Sequence, residues 1–308
     1  MKLIGDIGGT KVLLALADDA GNLVARRRFV SAEFANFDTL LADYLNAPHE
    51  PIAGGCLAVA GPVSGDGRSA RITNLPWTID AAVLEARFGL GPLTLVNDFA
   101  AVAAGVAALP TDRLLTLRAG EPAAGGLRLA IGAGTGLGVA ALVGETILAS
   151  EAGHVGFSPQ DDTQARIHAV LLAAHGRVTA ERVISGPGLA AIHRILAGES
   201  TTAEAVGARA LAGDPAARRS VHVFFACYGA FAGDMAMAFM ARGGVWLAGG
   251  VTHKLLPLLA AGPFLAAFDA KAEHAGLVRR IPVHAAADAE VGLAGAALLA
   301  RSAGRVPG

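Results

Sequence analysis

The chain has 308 residues, of which 53% are hydrophobic and 17% charged, with a mean hydropathy of +0.50. This length supports a sizeable core divided between two domains, and the composition excludes an intrinsically disordered protein. The net charge of −1 and the pI near 6.8 give no electrostatic basis for binding nucleic acid or anionic lipid.

The cysteines and the apolar segments narrow the class of protein further. Cys56 and Cys227 lie far apart without a Cys-x-x-Cys pair, which predicts buried free thiols in a reducing compartment. The N-terminus lacks the pattern of a signal peptide. Residues 221–241 are long enough to span a bilayer, but they contain Asp234 and have no second span beside them, so we predict a buried helix. These features lead us to expect a cytoplasmic protein.

The first half of the chain alternates strands with helices. Residues 2–30 predict a strand, a glycine turn, a second strand, a tight turn at Asp19–Gly21 and a third strand. Thr78 is expected to open a helix, with Asp80 in its first turn. The remaining predictions are helices over 33–46, 78–88 and 99–108 and strands over 53–60 and 93–96. The alternation indicates an α/β architecture.

The opening pattern returns in the second half. Residues 127–150 again predict a strand, a Gly/Thr turn, a strand, a turn at Gly144–Glu145 and a strand, which indicates internal duplication of 3–24. A proline-bearing turn at 109–113 is the expected boundary between the halves. Further predictions are helices near 163–175, 186–197, 202–212 and 215–242, strands over 245–250 and near 280–285, a helical stretch between these two strands, and a last helix over 290–301.

Three glycine-bearing turns follow apolar strands. In GDIGGT (5–10) and GAGTGLG (132–138), glycines let the backbone approach a ligand and point N–H groups at phosphate oxygens. Neither is a Walker A loop, because the chain has no Gly-Lys dipeptide, and Leu137 stands where a dinucleotide fingerprint needs glycine. One such turn alone would suggest an ordinary hairpin, whereas the duplicated pair favours a phosphate held between two domains. LAGG (247–250) suits the approach of a ribose or base.

Asp6 and Asp98 are candidate carboxylates at the ends of apolar strands. Asp6 could hold a hydrated magnesium ion, and the nearby Thr10 could donate its hydroxyl to a phosphate. Asp98 lies where α/β sheets bind ligands, and phosphoryl transfer to an alcohol needs a carboxylate beside the attacking hydroxyl. From the residues alone, a helix N-cap formed by Asn97 or Asp98 is an equal alternative.

Glu151 and His154 form a second polar feature, three positions apart. They could be metal ligands, but no third ligand stands at a suitable spacing. They could also form a structural hydrogen-bonded pair, or hold a hydroxylated ligand beside Gly153. Glu181, near another glycine turn, is a further isolated carboxylate that by itself would pass as a solvated helix-start residue.

Seven motifs are spread along the chain: GDIGGT (5–10), TNLPW (73–77), LVNDFAAVAAG (95–105), GAGTGLGVAAL (132–142), EAGHVGFSP (151–159), AERVISGPGL (180–189) and LAGGV (247–251). They stand in the order found in bacterial ATP-dependent glucokinases, and the chain resembles that family from the first strand to the last helix. The resemblance implies an α/β, actin-like, duplicated ribonuclease-H-type fold, with small and large domains and the sugar in an interdomain cleft. On this basis we expect a small domain over 1–110, a large domain over 111–289, and a helix over 290–303 that packs back on the small domain.

The same resemblance implies transfer of the γ-phosphoryl of MgATP to the 6-hydroxyl of glucose. Asp98 becomes the catalytic base, and Asn97, Glu151, His154 and Glu181 become further ligands of the sugar. The residues placed around the ATP phosphates are Gly5, Asp6, Ile7, Gly8, Gly9, Thr10, Gly134 and Thr135, with Gly249 and Gly250 near the nucleoside. ATP and Mg²⁺ are the expected cofactors, with Asp6 holding the metal through water. Expected partners are glucose, ATP and a second copy in a homodimer, with neither nucleic acid nor membrane.

Small departures and rival functions leave the substrate open. Lys11 follows the first loop where many relatives have Asn, and Ala152 stands where Gly is common. The related repressor/kinase group usually carries a cysteine-rich zinc motif after its sugar-binding histidine, and no cysteine follows His154 in this way. A kinase for another hexose or an amino sugar, one using polyphosphate, and a non-catalytic sugar sensor are the alternatives. The intact Asp98 and the lack of a helix-turn-helix segment before the first strand lead us to expect an enzyme.

Overall fold

The computed structural model describes residues 1–73, 75–144, 146–288 and 290–302, without the side chains of Thr111 and Ser302. The chain divides into two compact units, one holding Met1–Leu109 with the segment from Glu290 onward and the other holding residues 110–289. Three predicted features fall partly outside the described residues: Glu145 of the expected turn, Asn74 of TNLPW, and residue 303 at the end of the expected last helix. Ala289, the expected end of the large domain, also lies outside them.

The first unit contains a five-stranded sheet in the order β3-β2-β1-β4-β7. β1 pairs antiparallel with β2 and parallel with β4, and β4 pairs parallel with β7. The almost continuous apolar sequences of β1 and β4 suit strands buried on both faces. The elements are β1 Lys2–Ile7, β2 Lys11–Ala17, β3 Leu23–Val30, α1 Phe37–Leu45, β4 Gly55–Val59, β5 Ser69–Arg71, β6 Thr78–Asp80, α2 Ala81–Phe88, β7 Leu93–Asn97 and α3 Asp98–Ala108.

Two predicted helix starts in this unit are wrong. Thr78 belongs to β6, which pairs with β5 and buries Ile79 completely, and Asp80 caps α2 by accepting from the Val83 N–H at 3.1 Å. β-Branched residues favour a strand where a partner strand is available. The helical pattern of the sequence did not reveal that partner. The helix expected over 33–46 begins only at Phe37, because Asn36 caps it through the Thr39 N–H at 2.9 Å.

The second unit contains a six-stranded sheet in the order β11-β10-β9-β12-β13-β8. Its first five strands repeat the order of the first unit, with two antiparallel pairs followed by two parallel ones, so the predicted duplication is confirmed. β8 was not predicted; it pairs antiparallel with β13. The elements are β8 Leu114–Arg118, β9 Arg128–Ala133, β10 Leu137–Val143, β11 Thr146–Ser150, α4 Asp162–His175, α5 Ala180–Val183, α6 Gly186–Ala197, α7 Ala203–Leu211, α8 Pro215–Ala238, β12 Gly244–Ala248, α9 Gly250–Lys254, α10 Leu256–Ala260, α11 Phe264–Asp269, α12 Ala275–Val278 and β13 Val283–Ala286.

The apolar helix predicted near 221–241 is the central helix of this unit. α8 is long and apolar enough by length and composition to cross a bilayer, a criterion that core helices also meet, and 61% of its most apolar stretch is buried. Phe224 and Tyr228 are fully buried in the core, and the Tyr228 hydroxyl donates to the Ile131 carbonyl at 2.9 Å. Cys56 and Cys227 are buried free thiols, as predicted, and burial raises the pKa of Cys56 to about 12.

The last helix, α13 Val291–Ser302, packs on α3, β1 and β4 within the first unit. Leu293 and Ala296 join Ile4 and Ala101 in one small buried cluster. The close approach of α3 and α13 requires glycine at position 295, since an added Cβ would overlap the Ala101 carbonyl oxygen.

We expect Gly295→Ala to lower the free energy of unfolding by about 1–3 kcal/mol, because the crossing helices must separate to fit one methyl group. Gly276→Ala is the matched control: nothing lies within 4 Å of an added Cβ there, so no loss is expected. Urea unfolding of both variants measures the difference. Equal stability of the two variants would contradict close α3–α13 packing.

Candidate active site

In the first unit, three parallel strands end side by side. Ile7 is paired with Val59 and Val59 with Asn97, so the carboxyl ends of β1, β4 and β7 form one edge of the sheet. Ligands of α/β sheets bind at such edges. The edge therefore brings Asp6, the loop after β1 and the Asn97–Asp98 pair to the same side of the unit.

Asn97 and Asp98 have different local roles. The Asn97 side-chain oxygen caps α3 by accepting from the Phe99 and Ala100 N–H groups at 2.9 and 3.3 Å, and its amide nitrogen lies 3.5 Å from the Gly61 carbonyl. The N-cap alternative thus belongs to Asn97. Asp98 is the first residue of α3 and is partly exposed, with Oδ1 accepting from the Phe99 N–H at 2.9 Å. A carboxylate in this position is held at a helix N-terminus while remaining accessible.

The loop between β1 and β2 is tied down by a residue that the sequence did not single out. The Gly8 N–H donates to the Lys11 carbonyl at 2.9 Å, and Ser31 donates its hydroxyl to the Gly8 carbonyl and its N–H to the Thr10 carbonyl, both at 3.0 Å. Gly9 is partly exposed and Thr10 exposed, as a phosphate-facing loop requires. Ser31 follows β3 and belongs to none of the glycine motifs, so only the fold reveals its role.

Gly5 and Ile7 lie within β1 rather than in the loop. Both are buried, and a Cβ on Gly5 would come within 2.7 Å of a Leu57 methyl carbon. A side chain at position 5 would therefore displace the Leu57 side chain inside the sheet. Of the GDIGGT motif, Gly8, Gly9 and Thr10 form the turn itself.

The carboxyl group of Asp6, at this edge, is strongly perturbed. Burial raises its pKa from 3.8 to about 6, an effect opposed by the charge of Arg28 and reinforced by that of Glu290. A Cβ on Gly292, near the start of α13, would stand 3.3 Å from an Asp6 oxygen, which places this carboxylate against the beginning of that helix. Such perturbed groups are typical of functional sites.

In the second unit, three polar residues from two motifs meet. His154 Nε2 lies 3.6 Å from a Glu151 oxygen, and His154 Nδ1 lies 4.0 Å from a Glu181 oxygen. Glu181 also accepts from the Leu137 N–H at 2.9 Å, which fixes its carboxylate at the start of β10. Glu151 and His154 keep most of their side-chain surface exposed, at 75% and 55%. The cluster can therefore accept hydrogen bonds from, and donate them to, a polyhydroxylated ligand.

Local structure explains how the loop of Glu151 and His154 is held. Ala152–His154 forms a single 3₁₀ turn, and Gly153 packs so closely on the start of β10 that an added Cβ would overlap the Leu137 carbonyl. Arg177 supports the far side by donating to the His154 carbonyl at 3.3 Å. Arg177 stands outside the recognised motifs, so sequence reasoning missed it.

The two remaining glycine loops adjoin each other in the second unit. The Gly134 N–H donates to the Gly136 carbonyl, the Gly186 N–H donates to the Gly134 carbonyl, both at 2.8 Å, and an added Cβ on Gly134 would lie 3.9 Å from the Gly250 nitrogen. Gly249 has a φ of +91° and would clash with Ala133 if it carried a side chain. Thr135 is exposed at the tip of the first loop. The geometry leaves room for a ligand to approach the backbone.

Among the described residues, no group of three or more His, Cys, Asp and Glu residues could hold a metal ion. The metal interpretation of Glu151 and His154 therefore gains no third ligand in that part of the chain. The repeated strand order, with a glycine loop after β1 and another after β9, defines a duplicated α/β protein of the actin-like class.

Comparison with known proteins identifies the family. The profile of the glucokinase family matches residues 3–303, so the chain belongs to the glucokinase family. A glucokinase from Mesorhizobium japonicum is 35% identical over 97% of this chain and 91% of its own length. The predicted family and fold class are confirmed.

Solved structures agree with the fold. A glucokinase from an Antarctic psychrotroph superposes with a TM-score of 0.80 at 29% identity, covering 97% of this chain and 98% of its own. A ROK family glucokinase from Streptomyces griseus, solved with glucose and AMPPNP, has a TM-score of 0.72 at 21% identity over 98% of this chain and 99% of its own.

Proposed function

We propose that the protein transfers the γ-phosphoryl group of MgATP to the 6-hydroxyl of glucose, giving glucose 6-phosphate and ADP. Membership of the glucokinase family makes it an ATP-dependent sugar kinase. The observation that carries the assignment of the site is the meeting of Glu151, His154 and Glu181. They come from two motifs, and the His154 ring lies within 4.0 Å of both carboxylates.

In this proposal Asp98 is the general base. It accepts the proton of the sugar 6-hydroxyl as the oxygen attacks the γ-phosphorus, and Asn97 contacts a neighbouring hydroxyl with its amide nitrogen. Both functions suit residues at the carboxyl edge of the sheet, where α3 begins. Exclusion of water by a conformational closure would limit hydrolysis of ATP.

The phosphates of ATP are assigned to the Gly8–Thr10 turn and to Gly134–Thr135, and the nucleoside to Gly249–Gly250. Magnesium binding fits Asp6, since Mg²⁺ usually keeps several waters and takes one or two carboxylates together with substrate phosphates. A partly buried carboxylate beside the turn meets this need without a full protein cage. When bound, the ion would neutralise charge on the transferring phosphoryl group.

The cluster in the second unit is assigned to substrate binding. We expect Glu151→Gln and His154→Ala to raise the KM for glucose about tenfold or more with a smaller change in kcat, because each removes hydrogen bonds to the sugar, each worth about 1.5 kcal/mol or more when charged. Steady-state kinetics at saturating ATP measure both constants. Glu199→Gln, in an exposed carboxylate of the same unit, is the control. An unchanged KM in both variants would remove them from the pocket.

The assay that tests the function is sugar-dependent release of ADP from ATP over glucose, mannose, fructose and N-acetylglucosamine. Formation of sugar phosphate is measured when polyphosphate replaces ATP as the donor. The proposal expects glucose to have the highest kcat/KM with ATP. A different preferred sugar would replace the substrate while keeping the reaction class. Sugar binding without ADP release would identify a sugar sensor and contradict an enzyme.

We also propose that the protein works in the cytoplasm, without nucleic acid or membrane, as a homodimer. The near-zero net charge supports the absence of nucleic-acid and membrane binding, because neither phosphate backbones nor anionic lipids would attract the protein.

A further inference from the structure

The side chain of Tyr228 carries a buried hydroxyl that the proposed reaction does not use. Tyr228 lies in α8 and is fully buried, and its ring meets those of Phe224 and Phe264 edge to face. A phenylalanine ring would fill nearly the same space. Burial of a hydroxyl destabilises a protein unless the hydroxyl is hydrogen-bonded, so the partners of this one indicate what it does.

The Tyr228 hydroxyl holds the end of β9, at the base of the Gly134–Thr135 turn. It donates to the Ile131 carbonyl at 2.9 Å. Burial raises the pKa of this phenol above its usual value, and the Thr252 hydroxyl and the Ala133 N–H, both close to the phenol oxygen, oppose that effect. Ala133 is the last residue of β9 and directly precedes the turn. The phenol is therefore bound to the strand that carries the turn.

The Gly249–Gly250 turn meets the same strand end. A Cβ on Gly249 would overlap the Ala133 carbonyl oxygen, so this turn rests directly on the last residue of β9. Thr252, two residues beyond the turn in α9, is fully buried, and its hydroxyl makes no regular hydrogen bond with any residue that the structure describes, although it stands close to the Tyr228 phenol. The phenol oxygen has lone pairs with which to accept the Thr252 proton.

We infer that Tyr228 and Thr252 are positioning residues for the nucleotide, whose hydroxyls hold the Gly134–Thr135 and Gly249–Gly250 turns at the spacing that MgATP and MgADP require. The inference rests on the proposed assignment of these two turns to ATP. Both side chains are fully buried, so they act through the backbone and not by touching the ligand. Residues that hold backbone groups in place reduce the ordering needed on binding, so their loss weakens binding of the ligand.

Binding of MgADP to the full chain, measured by calorimetry without sugar, tests this positioning. Tyr228→Phe removes one hydroxyl, and Thr252→Val replaces the other with a methyl group. Each should raise the dissociation constant for MgADP about three- to tenfold, as loss of one hydrogen bond implies. The double variant should bind as each single variant does, because the two hydroxyls act as a pair. Thr252→Ser keeps the hydroxyl and should bind like the unmodified chain.

Steady-state kinetics separate the nucleotide from the sugar. In Tyr228→Phe and Thr252→Val the KM for ATP should rise by the same factor as the dissociation constant for MgADP, whereas the KM for glucose should stay unchanged. An equal rise in both KM values would indicate a general disturbance of the site and would overturn the positioning role.

Tyr44→Phe is the matched control. Tyr44 is the other tyrosine of the chain, it is buried in the first unit, and its hydroxyl likewise donates to a backbone carbonyl, that of Ala25 at 3.0 Å. Both Tyr→Phe substitutions should lower stability in urea, but only Tyr228→Phe should weaken binding of MgADP. A hydroxyl that serves the fold alone would change stability and leave binding as it was.

The possible results separate this inference from the proposed function. If the unmodified chain binds MgADP and both Tyr228→Phe and Thr252→Val bind it equally well, the positioning role is overturned and the kinase assignment stands. If Thr252→Ser binds as weakly as Thr252→Val, the hydroxyl at 252 has no such role. Should Tyr228→Phe fail to fold by circular dichroism, Thr252→Val decides. No binding of MgADP by the unmodified chain would overturn the assignment of the turns to nucleotide, and this inference with it.

Discussion

Asp98→Asn should lower kcat for glucose phosphorylation by about 10²–10⁴-fold, the range typical of a general base, with little change in the KM for glucose. The amide keeps the size and the hydrogen-bonding position of the carboxylate but cannot accept the proton of the 6-hydroxyl. Asn97, not Asp98, supplies the cap of α3, so the helix should begin normally in the variant. Initial-rate measurements over both substrates separate the two constants.

Asp80→Asn is a suitable control for this experiment. Asp80 also stands at the start of a helix in the first unit, where it caps α2, and Asn is an equally good N-cap. It should leave kcat unchanged and the fold intact. Asp98→Asn activity within about tenfold of the unmodified chain would assign the proton to another acceptor or to water.

Strong patterns in the sequence predict the alternation of strands and helices in both units. The apolar strands and the two glycine turns are local features, and their repetition is enough to predict duplication, whereas the strand order and the parallel pairing are seen only in the structure. The short pair β5 and β6 escaped prediction because three-residue strands have too few residues for a periodic signal, and Ile79 becomes a strand residue only through its pairing with Ala70.

The candidate site was only partly predictable for a related reason. Asp98, Glu151 and His154 stand in recognisable motifs, but the contact of Glu181 with the Leu137 N–H joins positions 44 residues apart. Ser31 and Arg177 position the loops from outside any motif. A motif reveals which residues meet the ligand, whereas the residues that hold the motif in place depend on tertiary contacts.

Asp6→Asn should make the ligand-free protein more stable at neutral pH while removing most of its activity. Burial raises the pKa of Asp6 from 3.8 to about 6, so between these values the folded state binds more protons than the unfolded state. The free energy of unfolding therefore falls as pH rises through this window, and above it the loss reaches at most about 3 kcal/mol. Asparagine carries no charge to desolvate and avoids that loss.

The pH dependence of this gain identifies its cause. The free energy of unfolding of Asp6→Asn should exceed that of the unmodified chain by about 1–3 kcal/mol at pH 8, a range that allows for the partial exposure of Asp6. At pH 5 the difference should be about half as large. Asp18→Asn is the contrasting control, because hydrogen bonds from Asn22 lower the pKa of the exposed Asp18 and its removal should give no gain. Urea unfolding at both pH values measures the stabilities. ADP release at increasing Mg²⁺ measures the accompanying loss of activity.

The combination of the two effects separates a functional carboxylate from a structural one. If a carboxylate serves only the fold, neutralising it should lower the free energy of unfolding. A carboxylate kept for a ligand instead destabilises the ligand-free protein, and the binding of metal and phosphates offsets that loss. If Asp6→Asn is less stable than the unmodified chain at pH 8, the interactions of Asp6 with Arg28 and the start of α13 outweigh the cost of burying its charge. Full activity at ordinary Mg²⁺ concentrations would separate Asp6 from the metal. Higher stability with lost activity is the outcome that the site geometry predicts.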